Sequence, residues 1–180
     1  MTRPLPLLLA GVLLAAPAFA QAPPAPEGHP MTAAAKGQFA MVKNYITKSA
    51  EKVGEDLYGF KPTPEVRSFG QLFGHIANAN YMICSRAMGE KPPSAEDIEK
   101  TKSAKADIVK ALADSFAYCD GVFAKMDDKT GAEPVDFFRQ KQPRLAVLQF
   151  NTAHDFEHYG NLITYMRLKG IVPPSSEGGM

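Results

Sequence analysis

Several absences narrow the reading first. After residue 20 no apolar run approaches the roughly 20 residues that a bilayer-spanning helix needs, which argues against a membrane-embedded chain. Neither sign of charge is in excess: 20 Lys and Arg stand against 19 Asp and Glu. That balance argues against a nucleic-acid binder, which calls for a clustered basic face, and gives no reason to expect an anionic membrane partner. No stretch alternates apolar and polar residues with the two-residue period of a strand, and no segment repeats, so neither a sheet nor a repeat architecture is expected. Cysteine occurs only twice, at Cys84 and Cys119.

What is present begins with a leader. Arg3, an apolar stretch from Leu5 to Leu14 and Ala18-Phe19-Ala20 have the charged start, greasy middle and A-x-A end of a signal peptide over residues 1–20. The mature chain is therefore expected outside the cytoplasm, periplasmic or secreted. Its 160 residues suit one domain with a real core, and without Arg3 its charge is 19 against 19. In an oxidising compartment Cys84 and Cys119 either form a bridge or remain two buried thiols. Spacing leaves both open, because a bridge needs the Cα atoms within about 7 Å.

Proline-rich residues 21–31 read as a tether carrying a solvated His29. Beyond it, Phe39, Val42, Ile46 and Val53 step by three, four and seven residues, the stripe of an amphipathic helix over 32–53. Prolines 62 and 64 interrupt the pattern. Ser68 with Gln71 forms a capping box that starts a second helix, running to Met88 before Gly89 and Pro92-Pro93. Ser94 with Asp97 marks a third start, continued by Ile108, Leu112, Phe116, Cys119, Val122, Phe123 and Met126. Residues 127–143 read as a long connection. The last helix runs from 144 to 169, with Leu145, Leu148, Phe150, Leu162, Ile163, Tyr165, Met166 and Leu168 as core candidates, and Gly170 with Pro173-Pro174 as its stop. The expected architecture is an all-α four-helix bundle with one or two long crossover loops, spanning 32–174 and followed by a tail at 175–180.

His154 and His158 lie four residues apart, about 40° around a helix, so both imidazoles leave one face as a two-point metal clamp. Such pairs also occur as hydrogen-bonded histidines with no ion. His75 lies mid-helix with Leu72, Ala79 and Met82 on its face, where an unpaired imidazole is costly. A lone histidine there is commonly a satisfied core residue, but these are three of the chain's four histidines, and bundles build metal sites from facing helices. Three imidazoles with one open position suit zinc, nickel or ferrous iron. Asp155 and Glu157 flank the ligand face at about 100° and are expected on a solvated or salt-bridged surface, with one of them holding an imidazole tautomer as the alternative.

The segments Lys61-Pro62-Thr63-Pro64, His75 through Tyr81, His154 through Asn161, and Tyr165 through Pro174 resemble the DinB/YfiT-like family, specifically its exported branch. The resemblance covers nearly all of the mature chain. It implies an up-down-down-up four-helix bundle, often a homodimer, with one metal-binding histidine on the second helix and an H-x-x-x-H pair on the last. His75, His154 and His158 fall on those positions. It also implies two kinds of activity, thiol-dependent transfer or isomerisation and metal-assisted hydrolysis. Tyr81, Tyr159, Arg86 and Arg167 are candidates for orienting a small-molecule substrate, with packing or surface charge as the alternative for each. The competing class is a non-catalytic metal- or ligand-binding module.

Overall fold

The stripe Phe39, Val42, Ile46 and Val53 organises the first helix as its spacing requires. In the computed structural model, which describes residues 28–178, α1 spans Pro30–Lys52 and all four side chains are buried. Burying Phe39 against Phe116 and Phe123, with ring centroids 6.0 and 4.7 Å away, contributes about 2–3 kcal/mol by itself. The leader at 1–20, tether residues 21–27 and the last two residues of the tail lie outside the described residues. Pro30 and Met31, expected in the tether, open α1, because proline at the first helical position sacrifices no hydrogen bond. Asp128 caps that end: its carboxylate accepts from the Thr32 amide at 2.8 Å, the Thr32 hydroxyl at 2.7 Å and the Met31 amide at 3.3 Å.

The second helix, α2, spans Phe69–Met88 and carries the expected capping box. The Gln71 amide donates to Ser68 Oγ at 3.2 Å and the Ser68 amide to Gln71 Oε1 at 3.0 Å. Gly89 ends it in the left-handed region at φ 73°, where a Cβ would be strained.

Two expectations need correction. The third helix is not continuous from Ser94: a four-residue α3, Ile98–Thr101, is separated from α4, Lys105–Ala124, by extended backbone at Lys102. The short helix is capped from α2, since the Ile98 amide donates to Asn78 Oδ1 and Asn78 Nδ2 donates to Asp97 Oδ1, both at 3.0 Å. A side chain 20 residues away has replaced the local Ser94–Asp97 cap.

The connection at 127–143 is also structured. It forms a short α5, Asp128–Gly131, and an antiparallel ribbon of β1, Pro134–Phe137, and β2, Gln140–Pro143. Its turn residues, Phe138 and Arg139, have φ of 46° and 64°, an expense of roughly 1–2 kcal/mol per residue that Asn-Gly would avoid. Aromatic packing offsets it: the Phe138 ring lies 4.3 Å from Phe137 and 5.5 Å from Phe150.

The last helix, α6, spans Arg144–Leu168. Leu148, Leu162, Tyr165 and Met166 are buried and Leu145 and Ile163 partly so, but Phe150 and Leu168 are exposed, Phe150 because it leaves the core to meet the ribbon. The tail is tied down as far as Glu177: the Ser175 amide donates to the Tyr159 hydroxyl at 2.9 Å, and Lys52 binds Glu177. Among the described residues no helix is long and apolar enough to cross a membrane.

Four long helices make the bundle. α2 packs against α4 and α6, and α1 against α6 and α4, so α1 and α2 sit on a diagonal although adjacent in sequence. The crossovers at 53–68 and 125–143 span the two diagonals, and α2 meets α6 side by side. Cys84 of α2 and Cys119 of α4 are joined by a disulfide, their Cα atoms 5.5 Å apart.

Candidate metal centre

Side-by-side packing of α2 and α6 brings His75 onto the clamp that helical spacing makes of His154 and His158. The three imidazoles converge through their Nε2 atoms, His75 to His154 at 3.3 Å and His154 to His158 at 3.0 Å. An ion about 2.0–2.1 Å from each nitrogen holds ligand nitrogens about 2.9–3.4 Å apart at angles between roughly 90° and 110°. Both distances fall in that range. The donor set therefore fits a divalent cation, and no fourth His, Cys or carboxylate among the described residues joins this group.

The environment keeps the rings in their ligating form. Burial lowers the pKa of all three; Arg67 and, against it, Glu99 act further on His75, and neighbouring imidazoles act on the other two. For His158 the result is about 3. At neutral pH all three are uncharged, as metal ligands must be.

Sequence reasoning missed the group that orients His75. Glu99, on α3, places Oε2 3.1 Å from His75 Nδ1 while its Oε1 accepts from Arg67 Nε at 2.9 Å. A proton held on Nδ1 by this carboxylate leaves Nε2 free for a cation. Glu99 lies 24 residues from His75 with no periodic relation to it, so nothing local signals the pairing. Nδ1 of His154 and His158 are buried without a protein partner.

Asp155, expected on a solvated flank, is fully buried. That flank of α6 faces the bundle centre, where Asn151 Nδ2 donates to Asp155 Oδ2 at 3.2 Å and to Asn80 Oδ1 at 2.9 Å, and Asn80 Nδ2 donates to Ser115 Oγ at 3.2 Å. This polar row crosses α6, α2 and α4, and burial pushes the Asp155 carboxyl well above its usual range. Glu157 is exposed, as expected. Met82, placed with Leu72 and Ala79 on the face of His75, is 43% exposed beside the ribbon.

His158 forms part of the wall of a cavity of about 510 Å³ that also contains Lys61, Arg67, Gln71, Glu99, Asn161 and Tyr165. None of the four suggested substrate-orienting residues lines it. Tyr159 is buried against Tyr45, Tyr81 packs on Tyr118, Arg167 reaches Ser176, and Arg86 lies beside the ribbon. Asn161 and Tyr165 were within reach of sequence reasoning: they stand seven residues after His154 and His158, on the ligand face two turns on.

The family model of the DinB superfamily matches residues 38–162. The chain belongs to the DinB superfamily. Among relatives, the uncharacterised protein YjoA of Bacillus subtilis is 24% identical over 136 residues, covering 73% of this chain and 86% of YjoA. The crystal structure of YjoA superposes with a TM-score of 0.61 at 22% identity, covering 76% of this chain and 92% of that one. A DinB-like protein from Bacillus cereus ATCC 10987 gives a TM-score of 0.68 at 18% identity, covering 78% and 93%. A conserved protein from Enterococcus faecalis gives 0.62 at 15%, covering 76% and 95%. At these identities the structural likeness establishes the DinB-like bundle and leaves the chemistry to the residues of this chain.

Proposed function

We propose that this DinB superfamily member is an exported metal-dependent hydrolase, in which His75, His154 and His158 hold one divalent ion, zinc, nickel or ferrous iron, through Nε2. The observation that carries the reading is the convergence of three neutral imidazoles, one of which, His158, lines a cavity, with no fourth protein donor in the group among the described residues. Structural zinc sites close their coordination with four protein ligands, whereas catalytic ones keep a position for water or substrate. A bound ion would supply a water of lowered pKa and polarise a carbonyl or phosphoryl oxygen. The chain's own part is to fix the ligand geometry, through Glu99 on His75, and to shape the cavity.

Hydrolysis is favoured over thiol transfer by the Cys84–Cys119 disulfide. Such a bond is at home in an oxidising compartment, where reduced small thiols are scarce, and it supports the export read from residues 1–20.

The test uses protein purified without a histidine tag, stripped of metal and reloaded. Near one ion per chain in the wild type, its loss in His154→Ala with helical circular dichroism retained, and ion-dependent cleavage within a panel of esters, amides and phosphoesters are expected. Unchanged metal content in the variant would sink the site. An ion that binds but supports no cleavage would leave a non-catalytic binding module.

A further inference from the structure

The cavity beside the three histidines has a charge pattern of its own. Four charged side chains line it, Lys61, Arg67, Glu65 and Glu99, but they are not equally engaged. Glu99 is shared between Arg67 and His75. Glu65 is exposed at the rim and forms no ion pair among the described residues. Arg67 uses only Nε in its pair with Glu99, and its terminal nitrogens make no hydrogen bond among the described residues. Lys61 is exposed and has no carboxylate within ion-pair reach among them. The unspent hydrogen-bond donors of the charged wall are therefore the terminal nitrogens of Arg67 and the Lys61 ammonium.

Position adds to this. Arg67 is held where it can act at the histidines, because its carbonyl accepts from the Tyr165 hydroxyl at 3.1 Å and Ser68 next to it caps α2. Arg67 and His75 share Glu99, which brings the guanidinium next to the histidines.

We infer that the cavity takes a substrate bearing an oxyanion, a carboxylate or a phosphate, received by the free fork of Arg67 and by the Lys61 ammonium beside the metal-holding histidines. Guanidinium and carboxylate or phosphate match as paired N–H donors and oxygen acceptors, which an ammonium or a neutral amide does not reproduce. The inference rests on the metal-site reading above, and it narrows the substrate class.

The experiment is calorimetric titration of zinc-loaded protein, its metal content checked by mass spectrometry, with benzoate, phenyl phosphate and neutral benzamide at constant ionic strength. Both anions are expected to bind at least about ten-fold more tightly than benzamide, and Lys61→Gln and Arg67→Lys each to weaken them about ten-fold. The tighter of the two anions identifies the headgroup. If Arg67→Lys disturbs metal loading through Glu99, the exposed Lys61→Gln variant decides. Failure to retain zinc overturns the metal-site reading itself. Zinc retained with benzamide bound as tightly as benzoate, or with anion binding unchanged in the variants that keep their metal, overturns the oxyanion inference alone.

Discussion

Glu99 Oε2 lies 3.1 Å from His75 Nδ1, so the four-residue α3 sets the proton on one imidazole of the candidate metal site. Carboxylates in this position usually raise ligand basicity and fix ring orientation. Glu99→Gln is expected to lower metal affinity about 10- to 100-fold while the bundle stays folded, measured by competition with a chelating dye. Equal affinity in the variant would show that Arg67 and packing hold His75 without the carboxylate.

Gly74, the residue before His75, lets α3 approach α2. A Cβ there would sit 2.8 Å from Glu99 Cα and 3.0 Å from Glu99 N, both backbone atoms that cannot swing away. Gly74→Ala should displace α3, cost about 1–3 kcal/mol in urea unfolding and weaken metal binding alongside. Unfolding and affinity both at wild-type values would mean that α3 docks loosely.

The Cys84–Cys119 bridge closes a loop of 35 residues between two core helices. Loop-closure entropy for that length amounts to about 4 kcal/mol. Cys84→Ser with Cys119→Ser, or wild type unfolded with a reductant, should therefore lose several kcal/mol of stability against urea, with the metal affinity of the folded form little changed. A stability change under about 1 kcal/mol would place the constraint elsewhere.

The start of α1 depends on an ionised carboxylate. Hydrogen bonds from Thr32 and Met31 hold Asp128 below its ordinary carboxylate range. A carboxyl lowered in the folded state adds stability that is present above its unfolded value near 3.9 and lost as the pH falls through the folded value. Protection of the Thr32 and Ala33 amides from hydrogen exchange should hold at pH 6 and decline below pH 4. In Asp128→Ala, which removes the acceptor, it should be low at both. Protection that does not vary with pH in the wild type and survives the substitution would show that Pro30 and helix propensity hold this end unaided.

The pattern of residues carried the long helices and half of the site. Phe39, Val42 and Ile46 repeat at the helical period, Ser68 and Gln71 satisfy backbone donors three residues apart, and His154 and His158 share a face by helix geometry alone. Each is a local relation, decided within one or two turns of chain. Where a distant partner intervenes, local reasoning lost its hold: Asn78 caps α3 in place of Ser94, Phe150 draws a Phe-Arg turn into a hairpin, and the flank carrying Asp155 faces other helices instead of water. The meeting of His75 with the clamp, the attachment of Glu99 to it and the siting of Arg67 and Lys61 on one cavity wall depend on how α2, α3, α6 and the 53–68 crossover pack. Helical periodicity specifies which face a side chain leaves. Only tertiary packing decides what that face meets.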